Sequence, residues 1–110
     1  MIIFKPEHVP MILAGRKTQT RRIGRRRWKV GSIHQARVSY YAKPFAHLRI
    51  MAVRQERLGD ITEADAIAEG YGSVTEYQEV FRRIYGFWEP DRPVWVIDFE
   101  VVGKGANANE

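Results

Sequence analysis

Apolar and polar residues alternate with two different periods along this chain, and the switch between periods marks its elements. Ile2-Ile3-Phe4 is an apolar triplet, a short strand or a packed arm. Pro6 and Pro10 suit a first helical turn, where a missing N–H costs little. Met11 to Ala14 continues that helix, and Gly15 falls where a helix ends. Thr18 to Ile23 reads as a strand with Thr18, Thr20 and Arg22 on one face and Gln19, Arg21 and Ile23 on the other. Neither face is apolar, so this strand is either solvated or lines a site. Gly24 to Lys29 is expected as an exposed loop and Val30-Gly31-Ser32 as a turn, with a strand over Ile33 to Tyr40. Ala46 to Glu56 is the longest strand candidate, with Leu48, Ile50 and Ala52 on one face and His47, Arg49 and Met51 on the other.

The period then changes from two to between three and four. After a turn at Leu58-Gly59-Asp60, Thr62-Glu63-Ala64-Asp65 resembles a capping box, and its helix stops at Gly70. Ser73-Val74-Thr75-Glu76 reads as the better capping box of the two. Its helix runs to Tyr85 and stops at Gly86, with Tyr77, Val80, Phe81 and Ile84 as the apolar stripe. Glu89 to Pro93 is a turn. Val94 to Val102 is the clearest strand, with Trp95, Ile97, Phe99 and Val101 on one face and Asp98 and Glu100 on the other. These elements predict one α+β domain over residues 1–103, a small barrel-like sheet with helices at its edge. Residues 104–110 form a polar, frayed tail.

Charge adds what periodicity does not show. The net charge of +5 is the sum of two unequal halves. From His8 to Gln55 there is no Asp or Glu, and the same window holds twelve Lys or Arg. From Glu56 onward, twelve acidic residues face five basic ones. Charge segregated in this way makes a field that selects partners. Without cysteine there is neither a disulfide framework nor a zinc-thiolate site, and three separated histidines have no metal-ligand spacing. No cofactor is expected. No apolar run approaches the roughly 20 residues that span a bilayer, and Lys5 and Pro6 interrupt any leader-like apolar segment. The expectation is a soluble, cytoplasmic protein without membrane contact.

The stretch Ile12-Leu13-Ala14-Gly15 followed by Arg16-Lys17-Thr18-Gln19-Thr20-Arg21-Arg22 resembles the signature of the ASCH domain (activating signal cointegrator homology). Val30-Gly31-Ser32, Gly59 to Ala66, Glu69-Gly70-Tyr71 and Pro93 to Phe99 are similar to the same family, so the resemblance runs from about Phe4 to Val101. It implies a PUA-like β-barrel, a cleft beside the motif, and RNA or a nucleoside as ligand. Some small members are amidohydrolases that deacetylate 4-acetylcytidine, and others are reported as nucleases. By the motif, Lys17, Thr20 and Glu69 match the catalytic Lys, Thr and Glu of the amidohydrolases. The arginine loop at 25 to 27 and the aromatic segment around Trp88 lie outside that pattern.

Each of these positions also has a plainer reading. A Thr hydroxyl becomes a nucleophile when a base takes its proton, and a Lys with a pKa lowered by nearby cations is such a base. Arg16, Arg21 and Arg22 supply those cations. The plain alternative is that Lys17 caps helix carbonyls and Thr20 merely occupies a strand. The two lie three apart, so they converge only if Lys17 sits in the turn before the strand. Glu69, in a last helical turn, opposes the helix dipole; it is either solvated or paired with a cation from the basic half. Arg22 either grips a phosphate or carbonyl, or pairs with Asp98 or Glu100. Arg25-Arg26-Arg27-Trp28-Lys29 joins cations to an indole, the make-up of an RNA contact, while Trp28 also suits the core. With Arg16, Lys17, Thr18, Arg21 and Arg22, that loop forms the expected RNA-binding set. The leading expectation is an RNA-binding module with a basic cleft for a nucleotide or nucleoside. An amidohydrolase of acylated cytidine, a ribonuclease, and a protein-interaction domain without chemistry are the alternatives.

Overall fold

The computed structural model describes residues 1–104; of the tail expected at 104–110, residues 105–110 lie outside the described residues. Among the described residues, five strands form one sheet: β1 (Ile2–Ile3), β2 (Gln19–Arg22), β3 (Ile33–Arg37), β4 (Ala46–Arg57) and β5 (Pro93–Lys104). Their spatial order is β1-β3-β4-β5-β2. Only β1 and β3 are parallel, and the other neighbours are antiparallel. A 3-10 turn at Pro6–His8 leads into α1 (Val9–Leu13), while α2 (Glu63–Ala68) and α3 (Val74–Tyr85) sit between β4 and β5. The expected α+β class and curled, barrel-like sheet are what the chain forms.

The sheet curls into a half-barrel, and its two end strands, β1 and β2, come back near each other without pairing. Arg22 of β2 lies over the ring of Phe4, just past β1, at 4.9 Å. Two apolar clusters hold this shape. One lies within the curl, built on Ile2, Phe4, Trp28, Leu48, Ile50, Ile97 and Phe99. The other joins the sheet to the helices through Leu58, Ile61, Tyr77, Phe81, Val94 and Val96.

That arrangement corrects two strand faces. β5 buries both faces: Ile97 and Phe99 enter the curl, while Val94 and Val96 on the other face pack against the helices. The face expected to be polar is therefore apolar at its start. In β4, Leu48 and Ile50 are buried as expected, but Ala52 is exposed. A register shift against β5 between Ile50 and Ala52 turns the strand out of phase. Ends differ as well. β3 stops at Arg37 rather than Tyr40, and β5 continues to Lys104.

The helix starts also reverse their expected ranking. Thr62 and Asp65 form the complete capping box. Ser73 accepts the Glu76 N–H at 3.1 Å, but the Glu76 carboxylate takes the Gly72 N–H instead of closing the box. No helix among the described residues is long and apolar enough to cross a membrane.

Candidate nucleoside site

The gap between the ends of the sheet holds a recess of about 160 Å³. From β1 and the segment after it come Ile3, Phe4, Lys5 and His8; from the β2 side come Lys17, Thr20, Arg21 and Arg22. Glu69 and Tyr71 close it from the end of α2, and Tyr77, Phe81 and Tyr85 from α3. Lys17 does sit in the turn before its strand, and it shares the recess with Thr20.

Lys17 is 2% exposed and Glu69 is 3% exposed. The ammonium donates to Glu69 Oε1 at 2.7 Å, to the Glu69 carbonyl at 3.0 Å and to the Gln19 carbonyl at 2.9 Å. All three ammonium hydrogens thus have acceptors, one of them a carboxylate, which favours the charged form. Burial pushes the Lys17 pKa below its usual value, and the Glu69 carboxylate opposes that fall. Local backbone geometry makes the meeting possible. Gly15 has φ +74 just past α1, which turns the chain so that the Lys17 N–H reaches the Met11 carbonyl at 3.1 Å. The Thr18 N–H then ties this turn to the end of α2, donating to the Ala68 carbonyl at 2.8 Å.

Behind Glu69 stands a buried guanidinium. Arg21 reaches Glu69 Oε2 at 3.1 Å, Glu56 Oε1 at 2.7 Å and Asp65 Oδ2 at 3.1 Å, and it also donates to Gln19 Oε1. Burial disfavours its charge, but Glu56 and Glu69 more than offset this, so its pKa lies above the ordinary value. Gln19 extends the network to Asp98 at 2.8 Å. Arg54 caps it from solvent, reaching Glu56 and Asp98 at 3.3 Å and Asp65 at 3.4 Å.

Across the recess, the His8 Nε2 and the Tyr71 hydroxyl share a hydrogen bond of 2.6 Å. Burial, reinforced by Lys17, pulls the His8 pKa down to about 4. Burial likewise holds the Tyr71 hydroxyl above its ordinary pKa. Both are therefore uncharged near neutrality. Arg22 Nε donates to Thr20 Oγ1 at 3.1 Å.

The residues singled out from the sequence divide into three groups. Lys17, Thr20, Arg22 and Glu69 meet at the recess. Glu69 is the paired, not the solvated, glutamate. Arg22 has neither expected acid as partner, because Asp98 is on the opposite face with Gln19 and Glu100 pairs with Arg49 at 3.0 Å. Arg21 lines the recess, yet its side chain is surrounded by carboxylates and withheld from solvent. Arg16, Thr18, Arg25, Arg26, Arg27 and Lys29 are exposed, outside the recess. Trp28 is in the core cluster and also borders a second groove. Ion pairs among the described residues use Lys17, Arg21, Arg49, Arg54, Arg57, Arg83 and Arg92. None of them neutralises the 25 to 27 arginines.

His8, Gln19, Arg54, Glu56, Asp65, Asp98 and Tyr71 belong to the site or its support and were not assigned to it from sequence. Glu56 carried one signal, as the first acid after the long acid-free stretch. The others are brought in by strand register and helix placement alone.

A family model described as the ASCH domain matches residues 2–103. The ASCH domain of Lactobacillus crispatus JV V101 superposes with a TM-score of 0.70 at 23% identity, over 86% of this chain and 70% of that one. A protein of Enterococcus faecalis V583 gives 0.68 at 20% identity, over 94% and 75%. A Zymomonas mobilis ASCH protein, solved as a point mutant, gives 0.61 at 14% identity, over 98% and 72%. At these identities the likeness is one of fold, the PUA-like sheet. No curated protein matches the sequence. With nearly its whole length matched by the family model, the chain belongs to the ASCH domain family.

Proposed function

We propose that the protein binds RNA and seats one pyrimidine nucleoside or nucleotide in the recess between the ends of its sheet. The observation that carries this reading is the recess itself: about 160 Å³, with aromatic walls on one side and Lys17, Thr20, Arg22 and Glu69 on the other. An apolar cavity of about 150 Å³ holds one benzene-sized ring, so the space suits a six-membered base. A larger groove of about 630 Å³, lined by Arg27, His34 and Tyr40, adjoins it and shares Ile3, Arg22 and Tyr85. The exposed arginines at 25 to 27 supply charge for the phosphates beyond that groove.

A second reading, hydrolysis of 4-acetylcytidine, is favoured by the Lys17–Glu69 pair at 2.7 Å in the same recess as Thr20. Thr20 Oγ attacks the acetyl carbon, Lys17 in its neutral form takes the hydroxyl proton, and the C–N bond breaks. Glu69 shuttles the proton to the departing N4, and water releases acetate from Thr20. The Lys17 ammonium must first lose a proton, and its lowered pKa eases that step.

Incubation with 4-acetylcytidine, following cytidine release, separates the two. Turnover that disappears in Lys17→Ala and Thr20→Val establishes the hydrolase. Cytidine and RNA binding without turnover establishes the binding module. Absence of both turnover and binding overturns the proposal.

A further inference from the structure

Among the described residues, β2 ends the sheet, and only one of its edges is taken, by β5. In an antiparallel pair, residues alternately turn their N–H and C=O toward the partner strand and away from it. The Phe99 N–H donates to the Thr18 carbonyl at 2.9 Å. With Thr20 opposite Ile97 and Arg22 opposite Trp95, that bond sets the phase: the Thr18 carbonyl and the main chains of Thr20 and Arg22 turn toward β5, and Gln19 and Arg21 turn theirs outward. Lys17 agrees with this phase, since its Nζ finds the outward Gln19 carbonyl at 2.9 Å. The N–H and C=O of Arg21 come next along the same edge. No strand flanks them among the described residues.

Two exposure values show what part of Arg21 borders the recess. The residue is 4% exposed, while its side chain is 0% exposed. The remaining surface is therefore main chain. The side chain runs to Glu56, Asp65 and Glu69 instead. Arg21 nevertheless lines the recess, so it does so with its peptide edge. Buried main-chain donors and acceptors are paired in more than about 90% of cases. An open strand edge beside a cavity is where a ligand completes the ladder.

We propose that the main-chain N–H and C=O of Arg21 read the edge of the bound base. The N–H donates to a ring acceptor, and the C=O accepts from the N–H beside it. Cytosine carries that pair at N3 and N4. Arg21 is then a specificity-determining residue through its backbone, while its side chain positions Glu69. The inference rests on the nucleoside reading above and deepens it.

Calorimetric titration with cytidine, 3-deazacytidine and 2-pyrimidinone riboside tests it, because the analogues remove the N3 acceptor and the N4–H donor in turn. Each is expected to bind about tenfold more weakly than cytidine, the size of one lost hydrogen bond. A semisynthetic protein with an ester in place of the Thr20–Arg21 amide lacks the Arg21 N–H. Its preference for cytidine over 3-deazacytidine should vanish. Equal binding of the three ligands by the native protein overturns the Arg21 assignment and leaves the nucleoside reading intact, as does an ester protein that keeps the preference. Failure of every nucleoside to bind overturns both. If the ester protein does not fold, the analogue series alone decides.

Discussion

Lys17 holds the recess together because removing it deprives the buried Glu69 carboxylate of one of its two cationic partners. Breaking one partner of a buried ion pair costs about 3–5 kcal/mol. Glu69 keeps Arg21 at 3.1 Å when Lys17 is gone, which places the loss at the lower end. Lys17→Met should therefore destabilise the protein by about 3 kcal/mol, measured by urea unfolding. A loss under 1 kcal/mol would mean that the pair is solvated in solution. His8 gives a prediction in pH. Its pKa is about 4 in the folded protein against 6.5 as the ordinary value. Above pH 6.5 both states are neutral at this ring and its contribution is full. As pH falls, the unfolded chain takes up the proton first, so stability drops between pH 6.5 and 4 and levels off below. The total is about 3 kcal/mol at 1.36 kcal/mol per unit. His8→Gln should remove that share of the acid sensitivity. Parallel stability curves for variant and parent from pH 7 to 4 would refute the depressed His8.

At the scale of elements, the site depends on how two short helices end. Gly70 has φ +104, and a Cβ there would lie 2.8 Å from the Met11 sulfur and 3.5 Å from Lys17 Cβ. Only glycine lets the end of α2 close on the end of α1, which is what brings Glu69 to Lys17. Gly70→Ala should cost about 2 kcal/mol through backbone strain and crowding, read as a lowered Tm. Adding Met11→Ala should recover the steric part and leave the strain. Full recovery would show that φ at this position is not strained. The stops at Gly15, Gly70 and Gly86 were legible in the sequence, since each is a glycine after an apolar run. The bulge in β4 was not. Nothing in the sequence at Ile50-Met51-Ala52 marks the register shift, which arises from pairing with β5 fifty residues away. β5's second apolar face was equally hidden, because Asp98 and Glu100 suggest solvent while Val94 and Val96 sit under helices placed by other contacts.

For the whole molecule, folding converts part of the charge segregation into pairing. Arg21, Arg49 and Arg54 from the basic half meet Glu56, Asp65, Glu69, Asp98 and Glu100 from the acidic half. Arg25, Arg26 and Arg27 stay exposed. If RNA binds along that side, replacing the three with Ala should lower the slope of log K against log salt by about 2, at about 0.7 per phosphate contact on single strands. An unchanged slope, measured by titration at several salt concentrations, would remove the loop from the interface.

What the sequence by itself determined is local: the Gly-x-Lys-Thr-x-Thr-x-Arg stretch, the helix starts and stops, the inward positions Leu48, Ile50, Ile97 and Phe99 of the long strands and the class of fold. These depend on residues a few positions apart, which is the range over which propensity and periodicity act. What only the tertiary structure decided is which charges are free and which are buried in pairs. Glu69 turned out to face Lys17, and Arg21 proved to be enclosed by three carboxylates. Those outcomes follow from strand register and from two end strands that approach without closing, and register is set by contacts between segments far apart in the chain.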